Sequence, residues 1–276
     1  MALTSEDAHG APSAAAPLKG RRALLTGSVA GLGLAMAEGL ARAGCDVMLN
    51  GLQPEDEGEM ISRTISERTG AEIGYHQADV ATLKGVQDLL DATRSRFGGI
   101  DILVNNAVVR HFAPITEFPA ERWDAALAVN LSAAFHAIRL ALPDMRQRNF
   151  GRIFNVTSVY GTRGTINRVD YVTTKSALLG LTRSVALENL DYDVTCHALC
   201  PGSVLTPGTE VRVTELMENN DIDRSAAERQ FLYGKQPGAR FVSPDSVTAL
   251  LVFLCGSVAR DMTGALVPVE AGWLAS

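Results

Sequence analysis

The sequence predicts a single α/β domain in which helices cover both faces of a parallel sheet. Short apolar runs alternate with helix-like patterns along most of the chain, and successive parallel strands need such crossover helices between them. No internal repeat or Pro/Gly/Ser-rich linker divides the chain after residue 20. The length of 276 residues, with 46% apolar and 20% charged side chains, suits one domain with a sizeable core.

The predicted strands are short apolar runs that stop at turn residues. They cover residues 21–26, 45–49, 71–78, 100–104, 152–157, 194–199 and 265–269. The segments between them place apolar side chains three and four residues apart, which is typical of helices with one buried face. The predicted helices cover residues 34–44, 55–68, 83–97, 119–148, 171–189 and 244–255. Because strands and helices alternate, the sheet is expected to be doubly wound.

Two segments lie outside this alternation. Residues 1–18 are rich in Ala, Pro and Ser and have no basic start. They are predicted to form a disordered tail rather than a signal peptide, so that the domain covers residues 19–276. Residues 204–242, here called the lid segment, are polar and charged. A flexible linker is the alternative, but a long polar insertion within a domain more often covers a site.

The composition argues against several classes of function. The net charge of −6 provides no basic surface for nucleic acid or anionic membranes, and no apolar run approaches the roughly 18 residues that span a bilayer. The histidines have no metal-ligand spacing, so no metal site is predicted. The cysteines form no disulfide framework and indicate reduced thiols in a cytoplasmic protein. They are Cys45, Cys196, Cys200 and Cys255.

Gly27, Gly31 and Gly33 follow the first predicted strand directly and precede the first helix. Glycines at this position permit a tight turn and a close approach of the backbone to a ligand, and the helix N-terminus then faces a pyrophosphate. Many strand-to-helix turns use glycine for structural reasons alone. The strand before the turn and the helix after it favour a dinucleotide site.

The end of the second strand reads Asn50-Gly51-Leu52, where an acidic residue usually holds the ribose of NAD. No acid stands there, but neither that strand end nor the glycine turn offers an Arg or Lys for the 2′-phosphate of NADP. NAD is therefore predicted. Asp79 ends the third strand, which in a doubly wound sheet lies beside the adenine. We expect an adenine contact there, with a plain turn residue as the alternative.

Tyr171 and Lys175 stand four residues apart at the start of a predicted helix, so they share one helix face. A nearby ammonium lowers the pKa of a tyrosine from its ordinary value of about 10, towards the range that suits a general base. Ser158 supplies a hydroxyl shortly before them. The pair alone is a weak signal, because a solvated helix pair has the same spacing.

Seven motifs occur along the chain in a specific order. They are Thr26-Gly27-x-x-x-Gly31-x-Gly33, Asp79-Val80, Asn105-Asn106-Ala107, Asn130, Ser158, Tyr171-x-x-x-Lys175 and Pro201-Gly202. By these motifs the chain resembles the short-chain dehydrogenase/reductases over about residues 19–273. The resemblance implies a Rossmann domain with the lid segment as an insertion. It also implies, by analogy, a homotetramer that pairs the 119–148 and 171–189 helices between subunits.

The resemblance implies four catalytic residues. Tyr171 transfers the proton, and Lys175 lowers its pKa and binds the nicotinamide ribose. Ser158 positions the substrate oxygen, and Asn130 holds the helix geometry and a water of the proton relay. The implied cofactor-binding residues are Gly27, Ala30, Gly31, Leu32, Gly33, Leu52, Asp79, Val80, Asn106, Ala107, Tyr171, Lys175, Pro201, Gly202, Val204 and Thr206. Val108 departs from the family, which usually has Gly after Asn-Asn-Ala.

Several segments are similar to those of D-3-hydroxybutyrate dehydrogenases within this family. They are residues 47–52, 118–124, 130–136, 235–237 and 272–273. The chain departs from these enzymes where they hold the substrate with polar residues around Ser158 and Tyr171. The departures are Arg110 for Gln, Tyr160 for His, Arg168 for Lys, Ser203 for Trp and, in the lid segment, Arg212 for Gln.

The added guanidinium groups predict a small anionic substrate, with one acidic group or with a second, because arginine binds carboxylates with two parallel hydrogen bonds. The alternative is that these arginines point to solvent and pair with lid acids such as Glu210 or Glu215. The predicted function is NAD-dependent hydride transfer with a secondary alcohol, foremost a 3-hydroxy acid such as 3-hydroxybutyrate. A reductase of another oxo or 3-oxoacyl substrate is one alternative. A dinucleotide-binding scaffold without catalysis is the other, and Val108 is its only support.

Overall fold

Within residues 16–276, the part of the chain that the computed structural model describes, seven parallel strands form one sheet. They are β1 (Arg22–Leu25), β2 (Asp46–Gly51), β3 (Ile73–Gln77), β4 (Ile102–Asn105), β5 (Gly151–Val156), β6 (Val194–Pro201) and β7 (Leu266–Val269). Their order is β3-β2-β1-β4-β5-β6-β7. The order reverses between β1 and β4, where open sheets bind ligands beyond the carboxyl ends of the strands. The predicted doubly wound α/β fold is confirmed.

Helices cover both faces of this sheet. They are α1 (Gly31–Arg42), α2 (Glu55–Thr69), α3 (Leu83–Phe97), α4 (Ala120–Leu127), α5 (Ala133–Gln147), α6 (Val169–Leu187), α7 (Pro207–Asn220), α8 (Arg224–Leu232) and α9 (Pro244–Leu254). The sheet has one hydrophobic core on each face, and neighbouring residues of β1 contribute to different cores. Leu25 belongs to the core that contains Met36 of α1, and Leu24 belongs to the core that contains Leu89 of α3. The alternation follows from the period of two along a strand.

Local sequence signals set several of the helix ends. Thr82 caps α3 by accepting a hydrogen bond from the amide of Gly85 at 3.0 Å, and Ser243 caps α9 in the same way from Asp245 at 3.1 Å. Gly70 and Gly98 end α2 and α3 with positive φ angles of 74° and 79°. Such left-handed residues favour glycine, so the helix boundaries were readable from the sequence.

Two predicted segments differ from the structure in detail. The predicted 119–148 helix consists of α4 and α5, joined by a π-helical turn at Ala128–Ser132. The lid segment contains α7 and α8, and its ends meet where Val204 pairs with Val242 in a short parallel bridge. Most of the predicted 1–18 tail, residues 1–15, lies outside the described residues. Leu18 is buried, and its amide donates a hydrogen bond to the Ala43 carbonyl at 2.8 Å.

The continuous helical stretch Ala120–Gln147 is long and apolar enough to cross a bilayer by length and composition, and 39% of its most apolar window is buried. This is weak support for a membrane span, because core helices of water-soluble proteins meet the same criterion. The four cysteines are unpaired and buried. Burial raises the pKa of the Cys196, Cys200 and Cys255 thiols to about 12, which makes them poor nucleophiles.

Candidate active site

A cavity of about 820 Å³ lies at the carboxyl ends of β1, β4, β5 and β6. The start of α6 and the lid segment form its remaining walls. The predicted cofactor residues that line it are Gly27, Ala30, Gly31, Leu32, Gly33, Asn106, Ala107, Tyr171, Lys175, Pro201, Gly202, Val204 and Thr206. The predicted substrate residues that line it are Arg110, Ser158, Tyr160, Arg168, Tyr171, Ser203 and Arg212. The fold therefore brings most of the predicted site together.

Three predicted cofactor residues do not border this cavity, namely Leu52, Asp79 and Val80. They lie beyond the ends of β2 and β3, and Leu52 is 67% exposed. One carboxylate oxygen of Asp79 accepts a hydrogen bond from the Ala81 amide at 2.9 Å, as a turn residue would. An adenine contact of Asp79 stays a prediction.

The glycine turn between β1 and α1 has no room for side chains. Gly27 has a φ of +60°, and a Cβ there would lie 2.9 Å from the Ala107 Cα atom. A Cβ on Gly33 would lie 2.3 Å from the Gly27 carbonyl oxygen, far inside van der Waals contact. The turn is therefore held against the end of β4, and its backbone is open to the cavity.

Three polar side chains stabilise the conformation of this turn through hydrogen bonds. The Asn106 amide donates hydrogen bonds to the carbonyl oxygens of Gly27 at 2.7 Å and Thr26 at 3.1 Å. The Thr26 hydroxyl accepts from the backbone amides of Asn106 at 3.0 Å and Ala107 at 3.1 Å. Asn50 is buried and accepts a hydrogen bond from the Gly27 amide at 3.3 Å. Asn50 and Asn106 therefore stabilise the turn, in addition to lying near the predicted cofactor site.

These features fit the pyrophosphate of a nicotinamide dinucleotide. In the part of the chain that the structure describes, no side chain caps the N-terminus of α1, so its first backbone amides keep their hydrogen-bonding capacity for a ligand. A helix N-terminus is also a favourable place for negative charge. A side chain at Gly33 would displace the turn that presents these amides, because its Cβ collides with the Gly27 carbonyl and the Asn106 side chain. The same cavity continues from this turn to Tyr171 and Lys175.

Ser158, Tyr171 and Lys175 all line this cavity. Ser158 follows the end of β5 and accepts a hydrogen bond from the Tyr160 amide at 3.3 Å. Tyr171 and Lys175 are 6% and 3% exposed. The Lys175 ammonium lies 5.6 Å from the centre of the Tyr171 ring and donates a hydrogen bond to the Val156 carbonyl at 2.6 Å. Tyr171 and Lys175 therefore lie close together on α6, as their four-residue spacing predicts.

The surrounding charges change the acidity of both groups. Burial by itself raises the pKa of the Tyr171 phenol. The positive charges of Lys175, Arg110 and Arg168 and a hydrogen bond with Ser158 outweigh it, so that this pKa lies below its ordinary value. Burial lowers the pKa of Lys175 to about 8, although the Tyr171 phenolate acts in the opposite direction. The site therefore favours a phenolate at Tyr171, as a proton acceptor requires.

Asn130 lies in the π-helical turn between α4 and α5. Its side-chain oxygen accepts a hydrogen bond from the Val109 amide at 2.8 Å, and its amide donates to the Val109 carbonyl at 3.0 Å. The amide also reaches the Thr174 hydroxyl at 3.3 Å. Asn130 therefore links the strand end after β4 to α6, one residue before Lys175. Such π turns occur frequently at functional sites.

The three predicted substrate arginines surround two aromatic rings. The guanidinium carbons of Arg168 and Arg110 lie 4.3 and 5.1 Å from the centre of the Tyr171 ring. Those of Arg168 and Arg212 lie 4.9 and 5.3 Å from the centre of the Phe112 ring. Such distances permit cation–π attraction. The guanidinium groups therefore line a continuous wall beside Tyr171.

The lid acids do not neutralise these arginines. Within residues 16–276, Arg110, Arg168 and Arg212 form no ion pair. Glu210 pairs instead with Arg224, to which it is bound by two hydrogen bonds, one of 2.8 Å. Pairing with lid acids is therefore wrong for Glu210, and Glu215 forms no ion pair in the described part of the chain either. Arg110 and Arg212 are nevertheless exposed to solvent, as that alternative expected, whereas Arg168 is half-buried.

Lys235, Phe112, Phe231 and Trp273 also line the cavity, and sequence reasoning did not assign them to the site. The Lys235 ammonium lies 3.8 Å from the centre of the Phe231 ring. The Trp273 ring meets Tyr160 edge-on at 5.2 Å. For Lys235 and Trp273 the family resemblance of residues 235–237 and 272–273 is the available signal in the sequence. Phe112 and Phe231 lie outside those segments, and nothing in their spacing points to a site.

Known proteins match this chain over most of its length. The family model of the short chain dehydrogenases matches residues 21–216. The D-beta-hydroxybutyrate dehydrogenase of Cupriavidus necator is 41% identical over 258 residues, which cover 94% of this chain and 99% of that protein. The D-beta-hydroxybutyrate dehydrogenase of Rhizobium meliloti is 36% identical over 255 residues, with coverage of 92% and 99%.

Solved structures show the same architecture. The crystal structure of L-sorbose reductase from Gluconobacter frateurii, complexed with NADPH and L-sorbose, superimposes with a TM-score of 0.90 at 31% sequence identity. The match covers 95% of this chain and 99% of the reductase. The similarity therefore extends over almost the entire domain, including the lid segment.

Proposed function

The chain belongs to the short-chain dehydrogenase/reductase family, and we propose that it transfers hydride between NAD and a small anionic secondary alcohol of the 3-hydroxybutyrate type. The observation that carries this proposal is the position of Tyr171. Its phenol lies beside Ser158 and close to several positive charges. The neighbouring guanidinium groups of Arg168 and Arg110 have no ion-pair partner among residues 16–276. The residue proposed to transfer the proton therefore lies next to the groups proposed to bind the anionic substrate.

The roles of the four catalytic residues follow from their contacts. In the oxidation direction, the Tyr171 phenolate accepts the proton of the substrate hydroxyl, and the Ser158 hydroxyl holds the substrate oxygen. Lys175 supplies the charge that favours the phenolate. Asn130 fixes the segment that carries Val109 against α6. A bound nicotinamide supplies the hydride acceptor, which is the cofactor's own chemistry.

The family binds nicotinamide dinucleotides, and NAD rather than NADP is part of the proposal. Asn50, Gly51 and Leu52 end β2 without a cation, whereas a 2′-phosphate is typically held by an arginine. Asn50 is also engaged internally, because its amide donates to the Ala78 carbonyl at 3.0 Å. The L-sorbose reductase structure contains NADPH, so the relatives include users of the phosphorylated cofactor.

The proposal also includes a homotetramer in the cytoplasm. Phe135 of α5 and Leu187 of α6 are 47% and 69% exposed, so both helices that the resemblance pairs between subunits carry an apolar side chain at the surface. The four buried, unpaired cysteines agree with a reducing compartment.

The proposed function is tested by assaying the full-length protein for NADH formation on matched alcohols. The pair (R)-3-hydroxybutyrate and 2-butanol shares the reacting secondary alcohol, but only the first carries a carboxylate. We expect oxidation of the hydroxy acid, with a kcat/KM at least about 10-fold above that of 2-butanol, as one charge-assisted hydrogen-bonded pair provides. Equal use of both alcohols would contradict an anionic substrate. Reduction of acetoacetyl-CoA in preference to acetoacetate would favour the 3-oxoacyl alternative.

A further inference from the structure

We propose that the substrate of this site is a hydroxy dicarboxylate. One carboxylate binds at Arg168 beside the reacting carbon, and the second binds between Arg212 and Lys235. This inference rests on the proposed function and narrows its substrate class from a monoanion to a dianion. The observation behind it is that the cavity is lined by more positively charged side chains than a single carboxylate can pair with.

The cavity is lined by five cationic side chains and, among residues 16–276, by no Asp or Glu. The cations are Arg110, Arg168, Lys175, Arg212 and Lys235. Lys175 serves Tyr171 and donates to the Val156 carbonyl. The other four form no ion pair within the described residues. A cavity with this charge is built for an anionic ligand.

Arg168 is the cation nearest to the chemistry. It stands three residues before Tyr171 and contacts the rings of Tyr171 and Tyr160 at 4.3 and 5.1 Å. Its Nε atom is buried and has no hydrogen-bond partner within the described residues, and burial is the main cause that lowers its pKa. Leaving a buried charged donor unsatisfied is costly. A carboxylate next to the reacting carbon would satisfy it.

Arg212 and Lys235 form a second cationic group in the lid segment. They share the Phe231 ring, from which they lie 5.0 and 3.8 Å. The pKa of Lys235 is lowered to about 8, first by burial and then by the charges of Arg212 and Arg168. The positive charges of Arg168, Arg212 and Lys235 therefore repel one another. One monocarboxylate held at Arg168 would leave this second group without a counterion.

The space between the two cationic groups suits the methylene groups of a short dicarboxylate. The Phe112 ring lies between Arg168 and Arg212, and the Phe231 ring continues the wall towards Lys235. Apolar rings next to guanidinium groups favour a ligand with charged ends and an apolar middle. The lid acid nearest in the chain, Glu210, is already bound to Arg224 and does not compete for Arg212.

The test compares two substrates that differ by one carboxylate. 3-Hydroxyglutarate is 3-hydroxybutyrate with a carboxylate in place of one hydrogen on its terminal methyl group, and it is achiral. The measured quantity is the ratio of kcat/KM for 3-hydroxyglutarate to that for (R)-3-hydroxybutyrate, with the full-length enzyme. We expect a ratio above about 10, as one additional charge-assisted contact provides.

Three variants assign the effect to the second cationic group. Arg212→Gln and Lys235→Gln are expected to lower this ratio about 10-fold or more. The control is Arg229→Gln, which removes an exposed guanidinium of α8 that does not line the cavity. It is expected to leave the ratio unchanged. A wild-type ratio at or below one, or a ratio that Arg212→Gln and Lys235→Gln do not change, would overturn the inference while the proposed function stands.

A binding measurement separates failure of the inference from failure of the proposed function. Glutarate and butyrate are titrated calorimetrically into the wild-type protein with saturating NADH. Glutarate is expected to bind at least about 10-fold more tightly than butyrate. This result with no turnover of either hydroxy acid would contradict the proposed function but support the dianionic site. Tighter binding of acetoacetyl-CoA than of glutarate would instead assign the cations to phosphate groups and overturn the inference.

Discussion

The lowered pKa of Tyr171 depends on charges that come from three different parts of the chain. Lys175 follows it on α6, Arg168 precedes that helix, and Arg110 comes from the segment after β4. Burial opposes the phenolate, and the three cations together with Ser158 outweigh this effect. The acidity of this residue is therefore a property of the assembled site.

Removal of Arg110 should shift the pH dependence of the reaction. In the oxidation direction kcat/KM rises with pH as the Tyr171 phenol loses its proton, and the native rise should occur below pH 10 because its pKa is lowered. Arg110→Gln removes one of the charges that lower this pKa, so the rise should move to higher pH. Arg122→Gln, an exposed arginine of α4, is the control. A profile that Arg110→Gln leaves in place would show that Arg110 does not act on Tyr171.

A single substitution at the end of β2 should change the cofactor preference. Leu52 is largely exposed and lies where an arginine would reach a 2′-phosphate. We expect the native enzyme to have a higher kcat/KM with NAD than with NADP. Leu52→Arg should raise the value with NADP about 10-fold, as expected for a new charge-assisted contact. A native enzyme that prefers NADP would contradict the assignment of NAD.

At the scale of the element, the glycine turn and the π-helical turn show what a sequence can and cannot reveal. Gly33 was predictable, because a Gly-rich turn between strand and helix has a known physical purpose. The π-helical turn around Asn130 was not, since the apolar periodicity of the 119–148 segment continues through it and predicts one helix. Lys235 and Phe231 were missed for a related reason: their role depends on where the lid segment folds back over the cavity.

Gly33→Ala tests whether the turn needs its glycine. The added Cβ would lie 2.3 Å from the Gly27 carbonyl oxygen and 2.6 Å from the Asn106 amide nitrogen, so the turn must move. We expect a loss of about 1–3 kcal/mol in the free energy of unfolding, as for other overpacked sites, and weaker NADH binding. Gly238→Ala, where a Cβ meets nothing closer than 3.9 Å, is the control. Normal NADH affinity in Gly33→Ala would argue against this turn as the cofactor cradle.

At the scale of the whole molecule, the strand order positions the site. Reversal between β1 and β4 places the glycine turn and the Asn106 segment side by side, and the ends of β5 and β6 bring Ser158 and Pro201 to the same cavity. The doubly wound sheet could be predicted because strands and helices alternate, and the motifs follow the strands. The direction in which each arginine points could not, since it depends on contacts across the lid segment.

The proposed tetramer depends on apolar side chains at the surface of α5 and α6. Replacing both Phe135 and Leu187 with Glu should lower the molecular mass in solution, measured by light scattering after size-exclusion chromatography. Buried carboxylates at a subunit contact are strongly unfavourable. Met60→Glu changes a similarly exposed side chain of α2 and should leave the mass unchanged. A mass that the double variant does not alter would place the subunit contacts elsewhere.

The central claim is that Tyr171 is the proton-transferring residue of a dehydrogenase for an anionic alcohol. The most direct measurement compares native enzyme and Tyr171→Phe for NADH formation from hydroxy acids, with NADH binding followed by fluorescence. The account predicts a kcat lowered by about 10²–10⁴-fold, the usual contribution of a general acid–base group, with NADH affinity retained. Native-like turnover in Tyr171→Phe would contradict the account.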